Sequence, residues 1–421
     1  MPRKGKLSRG VAVVGGGLTK LGLFKDRNSK DFFAEAFVET VGSVEKGLDP
    51  KEIDAVYIGN YSNDFFVNQA HWGPIISDLL GHVPKPVTRT EAACASSALA
   101  FREGVLAIAS GLYDIVLVGG FEQMSRKTTE EVAEGLAMAS SPYEVAAGFT
   151  FPGVFGTMAT AYFAKYGADR DALFNVTIKS HNNAPLNPKA QFPMSIRDFM
   201  NVRIERSRKK GEPLPEWKDE KEFLWDPVAN PPIAWPMHLF DCCPISDGAS
   251  CMLLVAEEIA KSFTDDPIYL AGMGQGSGYS LHAKKDLTTY EATRAAAKEE
   301  YEMAGLTPKD IQFSEVHDCF SIAEIVHIED LGFFKPGEGY QAVAEGLTRL
   351  DGPIPINTSG GLKTKGHPVG ATGVAQLYEV WVQLRRKAGK RQVPNPNLRI
   401  GAAQNLGGTG GTSTFIILER R

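Results

Sequence analysis

The stretch VHDCFS, residues 316–321, places three side chains that can do chemistry next to one another: His317, Asp318 and Cys319. Histidine and cysteine serve as metal ligands, proton carriers and nucleophiles. Free cysteines are also frequent among ordinary buried residues. Taken alone, the stretch is compatible with a metal site, a redox site, a reactive thiol or core packing.

A second cysteine stands just before a predicted helix. In TEAACASSALAFREG, residues 90–104, Cys94 precedes a run that is apolar on one side. A cysteine at a helix N-terminus lies at the positive end of the helix dipole, so we expect a lowered pKa for its thiol and a nucleophilic role. On this stretch alone, a buried structural cysteine is at least as good an interpretation.

A histidine occupies a comparable position near the end of the chain. His367 lies in GHPVG, residues 366–370, again before a helical pattern. Flanking glycines permit a close approach of the backbone and let a side chain face a cavity. An isolated histidine is more often structural, so its interpretation depends on what surrounds it.

The elements that must position these residues occur twice along the chain. Short apolar strands alternate with amphipathic helices, which predicts an α/β fold. GLDPKEIDAVYIGN, residues 47–60, matches GLTPKDIQFSEVHD, residues 305–318, at Gly, Leu, Pro, Lys and Ile. A duplicated α/β unit explains the order of matched elements. The helices after Cys94 and His367 would then be equivalent, and a pseudo-twofold axis could bring their starts together.

Length and composition restrict the class of protein. A chain of 421 residues predicts two domains or one large duplicated domain, and 43% hydrophobic with 23% charged residues is ordinary for a globular protein. We expect a first half made of residues 1–121 and 241–265, an inserted cover region at 122–240, and a second half at 266–421. The inserted region is rich in Pro, Met and aromatic residues.

Charge and targeting signals exclude several functions. The net charge of -5 argues against nucleic acid as a partner. No apolar run approaches the roughly 20 residues of a membrane span. The basic segment MPRKGKLSRG is not followed by a secretory signal pattern, so we expect a cytoplasmic protein. The five cysteines are odd in number and form no CxxC pair, which argues against a disulfide framework and against a structural metal site.

Five motifs together resemble the thiolase superfamily over nearly the whole chain: EAACASSALA around Cys94, VGGFEQMS at 118–125, SDGAS at 246–250, GHPVGATG at 366–373 and NLGGTGG at 405–411. HDCF at 317–320 is similar to the sterol-carrier-protein-type branch, which includes acetyl-CoA acetyltransferase-like and benzoylsuccinyl-CoA thiolase types. The resemblance implies a five-layered αβαβα fold built from two duplicated halves, with a loop domain inserted in the N-terminal half.

The resemblance also implies roles for individual residues. Cys94 would take the acyl group, and His367 would activate its thiol. Ordinary thiolases carry a second catalytic cysteine where this chain has Asn405, so Cys319 would move the proton at the α-carbon instead. His317 would help His367 to stabilise an enolate or thioester oxygen.

Three further assignments follow from the same resemblance. The backbone N–H groups of Cys94 and Gly407 would form a second oxyanion hole. Asp318 would hold loops in place. Arg203, Arg206 and Arg208, in the basic run RIERSRKK, would contact the phosphates of coenzyme A, although such a run is usually a solvated face.

Aromatic residues suggest a pocket for a bulky or aromatic acyl group, with ordinary core packing as the alternative. The residues expected to line it are Phe65, Phe66, Trp72, Phe149, Phe151, Phe155 and Met158.

The implied activity is transfer of an acyl group between a 3-oxoacyl-CoA and coenzyme A through acyl-Cys94, by thiolytic cleavage or by the reverse Claisen condensation. Coenzyme A would be a co-substrate, with no tightly bound cofactor and no metal. A homodimer or dimer of dimers is implied, and a small zinc-ribbon/OB-fold partner is compatible with the chain. Cys94 and Cys319 argue against a retro-aldolase-like relative, and HDCF argues against a ketoacyl synthase. A catalytically silent subunit that stabilises an active partner is the remaining alternative.

Overall fold

The computed structural model describes residues 6–421, so the first five residues of the basic N-terminal segment lie outside the described residues. Eleven strands are found within this range: β1 Val11–Leu18, β2 Ala55–Gly59, β3 Val87–Thr90, β4 Ile115–Gln123, β5 Pro232–Ala234, β6 Met237–His238, β7 Asp247–Ala256, β8 Ile268–Ser277, β9 Ser314–Glu315, β10 Ile400–Gly407 and β11 Thr412–Glu419.

Helices connect these strands and form most of the long connection between β4 and β7. Their bounds are α1 Ser29–Gly42, α2 Asn63–Phe66, α3 Trp72–Leu80, α4 Ser96–Ala109, α5 Thr129–Ala137, α6 Pro142–Ala146, α7 Phe151–Tyr166, α8 Arg170–Asn183, α9 Ile196–Lys210, α10 Glu220–Trp225, α11 Glu291–Ala304, α12 Ser321–Asp330, α13 Gly339–Ala344, α14 Gly361–Lys365 and α15 Thr372–Leu384.

Nine of the strands form one hydrogen-bonded sheet made of two matching half-sheets. The order is β3-β2-β4-β7-β1 followed by β8-β11-β10-β9. In the first half the parallel strands β3, β2 and β4 are followed by the antiparallel strands β7 and β1. In the second half the parallel pair β9–β10 is followed by the antiparallel strands β11 and β8, and Ile356 bridges β9 in parallel, as β3 pairs with β2. The halves join through a short antiparallel contact in which Ala12 faces Tyr269 and Val13 faces Ile268.

The repeated sequence forms the same connection in both halves. A single helical turn, Pro50–Glu52, leads into β2, and another, Pro308–Asp310, leads into β9. Proline suits the first position of such a turn because its fixed φ is helical and its missing N–H would have no partner there. The structure therefore confirms the duplication.

Helices α4 and α15 pack against each other; α4 also packs on strands of the first half-sheet, and α15 packs on strands of both. The approach is close because a Cβ atom at Gly373 would lie 2.5 Å from the backbone nitrogen of Ala98. Helix α1 covers the outer face of the first half-sheet, and α11 covers that of the second. The resulting layers are helix, sheet, paired helices, sheet and helix, which confirms the expected five-layered αβαβα fold.

The long connection between β4 and β7 contains α5 to α10 and the small antiparallel pair β5–β6. It supplies walls for two cavities, one of which reaches Cys94 at the start of α4. The boundaries at residues 121, 240 and 265 stay a prediction. Within residues 6–421, every helix is too short or too polar to cross a membrane.

Candidate active site

Cys94 sits in a tight turn at the start of the central helix α4. Ala93 has φ of +50°, a left-handed conformation that is uncommon outside glycine. Ser96 braces this turn, because its hydroxyl accepts the N–H of Ala92 at 3.0 Å and donates to the carbonyl of Ala93 at 2.6 Å. The turn holds the buried Cys94 thiol at the end of the helix, against one wall of a cavity.

Two histidines from the second half of the chain meet this thiol. One side-chain donor atom from each of Cys94, His317 and His367 lies within 4.8 Å of the other two. The imidazole rings stand nearly perpendicular, with centroids 5.0 Å apart. These are also the donor types that zinc takes, so the cluster offers a soft cation three ligands. The duplicated halves therefore bring together the three residues that the sequence singled out.

His367 is fixed by residues of the motifs quoted above. Its backbone N–H donates to Ser246 Oγ at 2.8 Å, and its Nδ1 lies 2.7 Å from Thr372 Oγ1. Glu122 holds the rest of the loop, because its carboxylate accepts the N–H of Gly370 at 3.1 Å. Burial raises the pKa of Glu122 to about 7.

His317 is fixed by two neighbouring residues of β10. Its backbone N–H donates to Gln404 Oε1 at 3.0 Å, and its Nδ1 lies 2.9 Å from Asn405 Nδ2. No motif in the sequence indicated that Asn405 would contact His317.

Burial, rather than the helix dipole, dominates the electrostatics of the thiol. It raises the pKa of Cys94 to about 12, although the N–H groups of Gly408 and of Cys94 itself act in the opposite direction. Burial and nearby Lys365 lower the pKa of His367 to about 3, and burial also lowers the pKa of His317. The expectation of a lowered thiol pKa is therefore wrong, and the resting site holds a neutral thiol beside two neutral imidazoles.

Cys319 lies in the wall of the same cavity. The N–H of Cys243 donates to its carbonyl oxygen at 2.8 Å, which fixes the backbone of the HDCF segment. Burial raises the pKa of the Cys319 thiol well above its usual value, and the neighbouring Cys243 and Cys94 thiols act in the same direction. A protonated Cys319 is suited to donate a proton to a carbanion.

Asp318 is not among the residues that line this cavity, and it contacts the first turn of α14. Its Oδ1 accepts the N–H of Leu362 at 2.7 Å, and a Cβ atom at Gly361 would lie 2.1 Å from its Oδ2. Burial raises the pKa of Asp318 to about 7. The geometry suits a residue that holds loops together.

The cavity beside Cys94 has a volume of about 160 Å³ and is mainly apolar. Cys94, Cys319, His367 and Gly408 form its reactive end. Its other walls come from Thr129, Val132, Ala133, Leu136, Thr150, Phe151, Pro152, Cys242, Cys243, Ile245, Phe320 and Val369.

Of the residues predicted to line an acyl pocket, Phe151 lies in this wall, and the other six lie outside it. Phe65 and Phe66 pack in the cluster around Tyr61 and Cys94, and Trp72 packs edge-on against Phe121 with ring centroids 4.9 Å apart.

The other three pack within the core cluster of the second half. Phe155 stacks behind the wall residue Phe320, with centroids 4.3 Å apart, and Met158 sulfur accepts the Tyr290 hydroxyl at 3.2 Å. Phe149 packs against the edge of the same cluster. The sequence did not show that α5 and the start of α7 form most of the walls, and a contact of these six residues with the acyl group stays a prediction.

The two glycines that follow Leu406 lie in different surroundings beside Cys94. The backbone N–H near the Cys94 thiol belongs to Gly408. Gly407 instead packs against the carbonyl of Ala92, where a Cβ atom would lie 2.3 Å from that oxygen. Gly408 is therefore a further candidate donor for the oxyanion hole, and the role of Gly407 stays a prediction.

A second cavity of about 220 Å³ lies behind the wall formed by Cys242 and Cys243. It is lined by aromatic residues, with buried Lys363 at one side. Phe199, on the basic helix α9, is one of these aromatic residues. Arg203 lies one turn further along α9, and its guanidinium donates to the carbonyls of Val228 and Ala229.

Comparisons with known proteins agree with this geometry. Residues 11–258 match the family described as "Thiolase, N-terminal domain", and residues 274–420 match "Thiolase C-terminal domain-like". An acetyl-CoA acetyltransferase of Methanothermobacter thermautotrophicus is 42% identical over 98% of this chain and 100% of its own length. Benzoylsuccinyl-CoA thiolase subunit BbsB of Thauera aromatica is 29% identical over 96% of each chain.

A solved structure described as "Ltp2-ChsH2(DUF35) aldolase" has the same fold, with a TM-score of 0.77 and 21% identity over 98% of both chains. The chain belongs to the thiolase superfamily, and it is an acyltransferase of the thiolase class. Within that superfamily it belongs to the sterol-carrier-protein-type branch, as its HDCF segment indicated.

Proposed function

We propose that this enzyme transfers an acyl group between a 3-oxoacyl-CoA and coenzyme A through an acyl-Cys94 intermediate. The observation that supports this most is the meeting of Cys94, His317 and His367 at the end of an apolar cavity that also exposes Cys319. The arrangement provides a nucleophile, a base, an oxygen-binding group and a second proton carrier.

In the first step, His367 takes the proton of Cys94, and the sulfur attacks the 3-oxo carbon. The bond between C2 and C3 breaks, and its electron pair forms the enolate of the departing acyl-CoA. The thiol of Cys319 then protonates C2, and the acyl group stays on Cys94. Charge on the enolate oxygen is stabilised by N–H groups of the two histidines.

In the second step, the sulfur of coenzyme A attacks acyl-Cys94 and passes its proton to Cys319. The backbone N–H groups of Cys94 and Gly408 hold the oxyanion of the tetrahedral intermediate. The intermediate collapses to acyl-CoA, and the Cys94 sulfur recovers its proton from His367. Dividing the reaction between two covalent steps lowers each barrier.

The acyl group we propose is apolar and can be as large as a single aromatic ring. The cavity volume of about 160 Å³ is close to that of an apolar cavity known to hold benzene. The relative named for benzoylsuccinyl-CoA suggests the same class of substrate.

We further propose that the second cavity receives the pantetheine arm of coenzyme A. It shares the Cys242–Cys243 wall with the first cavity, and α9 contributes Phe199 to its lining. On an α-helix, residues four and seven positions after Phe199 lie on the same side, so Arg203 and Arg206 are the better placed for phosphates. Arg208, nine positions on, points to the opposite side.

For the assembly we propose a homodimer, or a dimer of dimers, in the cytoplasm. Strand β3 is an edge of the sheet and is only partly buried within residues 6–421, so a second copy could extend the sheet there. A small partner protein is an addition suggested by the word subunit in one relative's name and by DUF35 in that of the solved structure.

Intact-protein mass tests the proposal. Wild type and Cys94→Ser are mixed with short, long, branched and aromatic 3-oxoacyl-CoA thioesters. We expect a mass gain on wild type that depends on the thioester, is absent in the variant and is discharged by coenzyme A. If every thioester leaves the wild-type mass unchanged, alone and with co-purifying proteins added, the chain is a silent subunit and the proposal fails.

A further inference from the structure

The hydrogen bonds around His367 fix which of its ring nitrogens carries the proton. Nδ1 lies 2.7 Å from Thr372 Oγ1, and that hydroxyl donates its single proton to the carbonyl of Pro368 at 3.1 Å. The hydroxyl oxygen therefore accepts from His367. The proton of this neutral ring sits on Nδ1, and the lone pair of Nε2 is free.

The Nδ1 atom of His317 faces a hydrogen-bond donor, whereas that of His367 faces an acceptor. Its Nδ1 lies 2.9 Å from the side-chain nitrogen of Asn405, and an amide nitrogen can only donate. Nδ1 of His317 must therefore accept, and the proton of this neutral ring sits on Nε2. The two histidines have opposite tautomers although their rings are adjacent.

We infer that Asn405 is a positioning residue that keeps His317 a hydrogen-bond donor at Nε2, while Thr372 keeps His367 a base at Nε2. This inference rests on the proposed function and deepens it, because it makes the two histidines non-interchangeable. Only His367 can take the Cys94 proton, and only His317 brings a proton to the substrate oxygen in the resting enzyme.

The surroundings of Asn405 are built to keep this contact. The side chain of Asn405 is buried in β10, and its neighbour Gln404 accepts the backbone N–H of His317. Gln404 is itself held by donating to Ser413 Oγ at 3.0 Å, and Ser413 donates to the carbonyl of Asn405 at 3.3 Å. His317 is thus held at its backbone and at its ring by two consecutive residues of one strand.

Two variants of Asn405 separate this role from simple packing. Asn405→Asp keeps the shape but can only accept, so it draws the His317 proton to Nδ1 and leaves Nε2 without one at high pH. We expect the kcat for cleavage of acetoacetyl-CoA, or of the thioester identified by mass, to fall about 100-fold, as for loss of one oxyanion donor, with KM little changed. Activity should return as the pH falls, because the carboxylate stabilises a doubly protonated ring.

Asn405→Leu keeps the size but offers His317 no partner. Its activity should fall less, and by the same factor at every pH. Asn187→Asp is the matched control, because Asn187 is also buried and its Nδ2 donates to the carbonyl of Ser359 rather than to a histidine. The control should show the wild-type pH profile. Equal pH profiles for Asn405→Asp and Asn405→Leu would overturn the inference.

Nitrogen NMR of wild-type enzyme that carries the nitrogen isotope label only in histidine measures the two tautomers directly and needs no turnover. We expect a protonated Nε2 for His317 and a protonated Nδ1 for His367, assigned with His317→Gln and His367→Gln. If the two histidines have the same tautomer in an enzyme that cleaves the thioester, the inference is wrong and the proposed function still stands. Opposite tautomers in a protein that no thioester acylates would leave the inference standing and overturn the proposed function.

Discussion

The close contact between the central helices α4 and α15 predicts that one substitution, Gly373→Ala, slows catalysis strongly and lowers the stability of the fold only a little. A Cβ atom added at Gly373 would lie 2.5 Å from the nitrogen and 2.6 Å from the Cβ of Ala98, where ordinary contacts begin at 3.4 Å. Gly373→Ala must therefore move α15 from α4 by about 1 Å. These helices begin beside His367 and Cys94, so the shift separates the base from the nucleophile.

The expected loss of stability is small. Overpacking costs about 1–3 kcal/mol, and alanine in place of glycine within a helix regains about 1 kcal/mol. For a chain of 421 residues, the resulting net loss of at most about 2 kcal/mol lowers Tm by no more than about 2 °C. Misplacement of reacting groups by about 1 Å, in contrast, can slow a reaction about 100-fold.

The assay compares the rate of Cys94 acylation, followed by intact mass, with Tm for Gly373→Ala and for Gly42→Ala. Gly42 ends α1 and has open space around its Cβ position, so its variant should keep the wild-type rate. Removing one clashing atom with Ala98→Gly should restore part of the rate, because the backbone nitrogen still interferes. A Gly373→Ala enzyme that acylates at the wild-type rate would refute the claim that the spacing of these helices sets the site.

Three further outcomes follow from the site. Because burial raises the pKa of Cys94 to about 12, the thiolate fraction of Cys94 grows with pH throughout the neutral range. The rate of alkylation by iodoacetamide without substrate should therefore rise about tenfold per pH unit from about pH 6 to 8. A flat profile would indicate a preformed ion pair with His367. Cys319→Ala should abolish deuterium uptake at C2 of acetyl-CoA in heavy water, measured by mass, and retained uptake would assign the proton carrier elsewhere. Phe151→Ala should shift kcat/KM towards bulkier acyl groups by about tenfold or more, while unchanged selectivity would place the acyl group outside this cavity.

The sequence predicted the parts of the site that local motifs and the internal repeat define. The equivalence of 47–60 and 305–318 placed the starts of two helices at one point, and this brought Cys94 and His367 together before any contact was known. HDCF drew attention to His317 and Cys319 in the same way. Each of these four residues stands in a short sequence motif, so its candidate role could be recognised without knowledge of distant contacts.

What the sequence could not predict depends on long-range packing. The position of Cys94 before a helix suggested a lowered pKa, but its burial reverses the sign. Trp72 lies among residues that suggested a pocket, yet it packs on the far side of the sheet against Phe121. Asn405 looked like a lost cysteine, and only the pairing of β10 with β9 shows that it faces His317.

The division of the reactive groups between the two halves has a consequence for the order of events during synthesis. Cys94 leaves the ribosome more than 200 residues before His317, Cys319 and His367. Until α15 docks on α4, the thiol has neither its base nor its oxygen-binding partner. A nascent or truncated chain therefore carries a nucleophile that cannot be charged with acyl groups, and acylation reports that the whole chain has folded.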